Sequence, residues 1–150
     1  MTPYIALVAF LALWLGFAVG ISRLSGWARL ARRFPSRPIS AVTTVPHATM
    51  MLGTSFRYQR MIGVEMSPEG CRLTVPWSYR PGHPPIFLPW SAVTTCGPSD
   101  PLGGLTGVEL AGDGFHLSIL GRAAEPVIKS WRDALRIAPG AGEIPSGGTS

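Results

Sequence analysis

No charged side chain occurs before Arg23 and no acidic one before Glu65. A soluble helix needs a polar face, so the first absence excludes an ordinary surface helix for the N-terminus. Cysteine is almost as scarce: Cys71 and Cys96 stand 25 positions apart, outside any CxxC pair or His/Cys cluster, and offer no metal site. His47, His83 and His116 are scattered without a paired carboxylate at a telling spacing, and Ser78, Ser91 and Ser118 lack the setting of an activated nucleophile. Gly103-Gly104 runs into Leu105 rather than a Lys-Ser/Thr pair, so no phosphate-cradling loop is formed. The expectation is a chain that is not an enzyme, with no catalytic residue, no cofactor and no metal ligand to assign.

What the N-terminus does have is an unbroken apolar run, Tyr4 to Ile21. Its eighteen residues would extend about 27 Å as a helix, close to the ~30 Å hydrocarbon core of a bilayer. A cleaved secretory signal would carry a basic segment ahead of the run; Ala18-Val19-Gly20 resembles a cleavage site, but no Lys or Arg precedes it. The retained anchor, residues 1–22, is the favoured reading. Arg23, Arg29, Arg32, Arg33 and Arg37 all follow the span, which predicts a single-pass protein of the inner (plasma) membrane, N-terminus outside and C-terminal domain cytoplasmic.

Those five arginines account for the whole net charge of +5, because residues 38–150 hold eight basic and eight acidic side chains. A folded domain that is neutral is a poor nucleic-acid ligand, and no nucleic acid is expected as a partner. The partner expected for the basic segment is the bilayer with its anionic headgroups, at about 1 kcal/mol per basic residue near the surface. In Ile21 to Phe34, Leu24, Trp27, Ala28, Ala31 and Phe34 recur at helical steps, so Arg23, Trp27, Arg29, Arg32 and Arg33 are candidate membrane-interface residues. This segment reads equally as an interfacial helix or as the end of the anchor, with Gly26 suited to a bend between them. Within the span, Ala12, Gly16 and Gly20 make a small-residue stripe, a candidate face for helix packing and a homodimer through the transmembrane helix.

Residues 23–48, with Pro35, Pro38 and Pro46, read as a basic juxtamembrane helix and a linker. Residues 49–137 read as a β domain with a closing helix, and 138–150 as a disordered tail. The expected strands are Met50–Tyr58, Met61–Met66, Cys71–Trp77, Ile86–Leu88, Ala92–Cys96, Leu105–Ala111 and Phe115–Leu120. Ser67-Pro68-Glu69-Gly70 and Gly112-Asp113-Gly114 supply two hairpin turns. Val127, Ile128, Trp131, Ala134 and Leu135 then share one face of a helix with Pro126 in its first turn, and Trp90, Phe115, Leu117 and Trp131 are expected to be buried together. In a cytoplasmic domain the two cysteines are free thiols; in an exported one they could pair.

About seven short strands followed by one amphipathic helix match the outline of a pleckstrin-homology-like barrel. The segment Pro85-Ile86-Phe87-Leu88-Pro89-Trp90-Ser91-Ala92-Val93 resembles the Ile/Leu-Pro-Trp-Ser-x-Ile/Val segment of bacterial PH-like and GRAM-like domains. Ser25-Gly26-Trp27 with Leu30-Ala31, and Gly82-His83-Pro84-Pro85, resemble segments of small uncharacterised bacterial membrane-anchored proteins. The resemblance implies an antiparallel PH-like barrel with a C-terminal helix, an α+β domain behind a transmembrane helix. Phosphoinositide-binding members of that superfamily use a basic region between their first two strands, and the matching place holds Arg57 and Arg60. Arg57, Arg60, Arg72, Tyr79, Arg80 and His83 are therefore the candidate ligand rim, the stiff loop from Tyr79 to Pro85 contributing half of it. The function expected is a non-enzymatic interaction module binding a protein segment or lipid headgroup, its protein partner unidentified. The alternative is a small accessory subunit of a membrane complex that binds through its helix.

Overall fold

The computed structural model describes residues 3–100 and 103–137. Helix α1, Pro3–Ser25, extends the apolar run by a turn and ends where Gly26 takes a left-handed conformation, φ 85°. Helix α2, Trp27–Arg33, starts at once, its first backbone bond running from Leu30 N–H to the Gly26 carbonyl. A left-handed residue terminates a helix at small cost only when it lacks Cβ, so the bend expected at Gly26 is present for the expected reason.

Seven antiparallel strands follow: β1 Thr43–Leu52, β2 Phe56–Ser67, β3 Gly70–Thr74, β4 Ile86–Pro89, β5 Thr95–Ser99, β6 Gly107–Gly112 and β7 Phe115–Leu120. They form one sheet in the order β4-β3-β2-β1-β7-β6-β5, a curled half-barrel whose two edges do not pair with each other. Helix α3, Ala124–Ile137, packs on β6, β5 and β2. It carries Pro126 in its first turn and Arg136 in its last, as its sequence leads one to expect.

The curl originates in β1 and β2. Their register shifts between Val45 and Ala48 and again before Met50, and His47 (φ 55°) and Arg60 (φ 54°), the positive-φ residues other than glycine among the described residues, belong to these two strands. Bulges bend a strand and let it serve two directions of the sheet, so β1 pairs with β2 from Thr43 onward and with β7 only from Thr49 to Leu52. Pro46 is tolerated inside β1 because it sits in the irregular stretch. Residues 43–48, expected as the end of the linker, therefore already belong to the sheet. The first hairpin also differs from expectation: its turn is Gly53 to Ser55, and Arg57 and Arg60 lie within β2.

The two edges are protected differently. Phe34 and Pro35 lie against β4, with Phe87 N–H donating to the Phe34 carbonyl at 3.1 Å, while β5 carries Pro98 and lies under α3. The core joins both halves of the sheet: Met50, Ile62, Val64, Leu73, Ile86, Leu88, Leu110, Leu117 and Ile119 are fully buried. Trp90 is buried and donates its indole N–H to the Ser67 carbonyl at 2.9 Å; Phe115 and Trp131 are half-buried against the same core. Cys71 and Cys96 are free thiols, and burial pushes Cys71 up to about 12. The expected tail, 138–150, lies outside the described residues.

Helix α2 is separate from α1, and the domain covers its apolar face. Trp27 is fully enclosed, and Leu30 and Ala31 are buried with it in the domain core. An apolar stripe on a short helix states that one face is dry, and here the domain covers that face. Replacing Trp27 with Ala should destabilise the detergent-solubilised protein by about 3 kcal/mol or more, the cost of emptying a large buried site. Arg29→Ala, on the exposed face, should stay within about 0.5 kcal/mol in the same denaturation experiment.

Candidate functional site at the helix-domain junction

The C-terminal half of α1 does not stand free of the domain. Trp14 donates its indole N–H to the Ser78 carbonyl at 3.3 Å, and its ring lies 5.2 Å from that of Tyr79. Ala18 is buried, and the Ser22 hydroxyl donates to the Gly82 carbonyl. Gly82 is required twice over. Its φ is +81°, and a Cβ there would come within 2.8 Å of Val19 Cα, backbone that cannot yield.

Below this contact lies a small buried polar chain. Ser25 Oγ stands 2.6 Å from Tyr58 Oη, which in turn stands 3.2 Å from His83 Nε2. Trp27 roofs it, its ring 5.4 Å from Tyr58 and 5.6 Å from His83, and its indole N–H donates to the Pro84 carbonyl at 2.9 Å. Burial pushes Tyr58 up, so the phenol keeps its proton, although its bond to Ser25 opposes the shift. Burial also pushes His83 down and keeps the ring neutral. Its Nδ1 makes no hydrogen bond of normal geometry among the described residues, although the carbonyls of Pro81 and Tyr79 are near enough to favour the charged ring slightly.

A cavity of about 260 Å³ opens between α1 and β2 beside this chain. Phe17, Ala18 and Ile21 of α1 form one wall, and Phe56, Tyr58 and Met61 of β2 with Val75 form the other. Tyr79 and His83 line it from the β3-β4 loop, and Arg57 is the cation among its lining residues. A larger groove of about 1,000 Å³ runs between α3 and the β5-β6 side, but there Arg122, Lys129, Arg132 and Arg136 are interleaved with Glu125 and Asp133. Mixed charge on an open surface selects no ligand class, whereas the junction cavity is apolar with few, placed polar groups.

The residues singled out in the sequence are thus divided. Arg57, Tyr79 and His83 meet at the junction cavity, and the exposed Arg80 is in the same loop. His83 is not on a rim: it is 1% exposed. Arg60 belongs to the bulge near His47, and Arg72 is held by Glu65 directly across the β2-β3 ladder. Arg23, Arg29 and Arg32 are exposed, but Arg33 pairs with Asp113 at 2.8 Å and Arg37 with Glu69 at 3.0 Å. Two of the five juxtamembrane cations therefore face the domain. Ala12 and Gly16 are exposed on α1, and a side chain at Gly16 or Gly20 would meet open space. Sequence reasoning gave no site role to Ser22 or Tyr58 and quoted Ser25 and Gly82 only within segments that carry a resemblance; two serines closing an apolar run were the available signal.

No protein-family model matches the chain, and no curated protein matches it. The architecture is that of a small antiparallel β-sheet domain behind, among the described residues, one helix long and apolar enough to cross a membrane.

Two tests follow from this geometry. Gly82→Ala forces a side chain into a left-handed backbone and against α1, and should cost at least about 1–2 kcal/mol in chemical denaturation. Gly16→Ala should be close to neutral. Because His83 is neutral when folded and titrates near 6.5 when unfolded, the unfolded chain gains a proton first as pH falls. Stability should therefore decline from about pH 6.5 downward toward the lowered folded value, and thermal melts of His83→Gln should lose that part of the slope.

Proposed function

We propose that the chain is a non-enzymatic, single-pass membrane-anchored module that holds a PH-like domain at a fixed orientation on the cytoplasmic face of the membrane. There it binds a lipid headgroup or a protein segment. The observation that carries this reading is the continuity of the apolar helix with the folded core through Ser22, Ser25 and Trp27. Trp14 and Ala18, which lie ahead of a cut after Gly20, also pack on the domain, and a cleaved leader has no reason to do so, which supports retention of α1. The strand order and the helix after the last strand support the PH-like outline. Among the described residues no three His, Cys, Asp or Glu gather to hold a metal ion.

Orientation rests on the arginines that follow the span. It is tested by placing Lys129→Cys, exposed on α3, in a Cys96→Ser chain, where the deeply buried Cys71 stays silent. A membrane-impermeant thiol reagent should leave intact cells unlabelled and label the protein after lysis. Labelling in intact cells would place the domain outside and overturn the cytoplasmic reading.

A further inference from the structure

Helix α1 is 23 residues long, about 34 Å, and about 20 residues are needed to cross the hydrocarbon core. From Trp14 onward, however, one side of it is on the domain. Residues 3–13, about 16 Å of helix, are clear of it. A span that starts at Tyr4 must therefore draw on the docked half, and whatever is fastened to that half at Ser78, Tyr79 and Gly82 is carried to membrane depth.

The β3-β4 loop has the chemistry such a position demands. Irregular backbone survives near hydrocarbon only when its polar groups are satisfied by protein. Between residues 76 and 85, Pro76, Pro81, Pro84 and Pro85 have no N–H to satisfy. The N–H groups of Tyr79, Arg80 and His83 donate to the carbonyls of Pro76, Trp77 and Arg80. The carbonyls of Ser78, Gly82 and Pro84 accept from Trp14, Ser22 and Trp27 side chains. On the outside of this partly satisfied loop Trp77 is 82% exposed, an amphipathic ring with no protein to cover it, and Arg80 is exposed three residues on. That pairing matches the boundary between acyl chains and phosphates.

We propose that the loop from Pro76 to Pro85 is a second membrane-contacting element, entering the phospholipid leaflet on the arginine-rich side beside α1, with Trp77 as its anchor and Arg80 on lipid phosphate. It rests on the reading that α1 spans the membrane. The full chain in vesicles of phosphatidylethanolamine and phosphatidylglycerol tests it, with an environment-sensitive fluorophore on Trp77→Cys, Leu11→Cys or Lys129→Cys in the Cys96→Ser background. Trp77 is exposed, so its replacement leaves the fold intact. The label at 77 should be quenched by nitroxide-bearing lipid several-fold more than the label at 129, while iodide in the water quenches 129 and spares 77. If 77 behaves like 129 while 11 is quenched by lipid, the span stands and the loop lies in water, which overturns the proposal. If 11 also escapes lipid, the spanning reading falls and takes the proposal with it. Protection of 77 from both quenchers would mean that protein, not lipid, covers it, and would likewise overturn the proposal.

Discussion

Everything at the N-terminal side of this protein depends on the enclosure of Trp27 against Tyr58 and His83. The indole brings apolar area into the core, yet its N–H must still be paired, and the Pro84 carbonyl does this. That one bond fixes the β3-β4 loop to α2. Tyr58 then needs partners of its own and finds them in Ser25 at the end of α1 and in His83 of the loop. A buried hydroxyl left unpaired costs about 1–3 kcal/mol, so β2, α1 and the loop are held to one geometry by the demand for satisfaction rather than by contact area alone.

This constraint redistributes the charge. With α2 turned inward, Arg33 and Arg37 follow it onto the domain and meet Asp113 and Glu69, while Arg37 also lies 4.1 Å from the Phe87 ring. Both pairs are exposed, and such pairs contribute little to stability. Their effect is on what remains: Arg23, Arg29, Arg32, Arg57 and Arg80 make no ion pair among the described residues. Arg23 stands on α1, and Arg57 and Arg80 on the two elements that flank the junction cavity. The basic segment is thus not a uniform stripe along a helix but a set of cations around the place where helix and domain meet.

The parts of the fold that the sequence announces are those with an undisturbed period. β7 runs from Phe115 to Leu120, the expected bounds, because Gly112-Asp113-Gly114 leaves one place for the turn, although Ser118 on its polar side is buried too. α3 is legible for the same reason, its apolar positions recurring over three turns. β1 is not, since Pro46 and the left-handed His47 break the alternation where the strand must bulge to curl the sheet. Trp27 marks a second limit. A tryptophan among arginines has one pattern whether lipid or protein covers it, and only the partner's location distinguishes the cases. The candidate rim fared accordingly: Arg57, Tyr79 and His83 converge because one loop and one strand bring them together, whereas Arg60 and Arg72 are dispersed by a bulge and a cross-strand carboxylate that spacing does not reveal.

A membrane anchor joined to its domain by a flexible linker raises local concentration but leaves the domain free to turn. Here a single glycine separates α1 from α2, and the anchor shares a buried hydrogen-bonded chain with the domain. The dependence is mutual. The loop's carbonyls take donors from Trp14 and Ser22 of α1 and Trp27 of α2, and in return those donors find acceptors that hydrocarbon does not offer. In water either side could replace the other by solvent at modest cost; at the edge of a bilayer neither can, because the effective dielectric falls and an unpaired group grows more expensive. The junction therefore tightens in the surroundings for which α1 is built. A domain so fixed keeps one orientation relative to α1 without needing a ligand to set it.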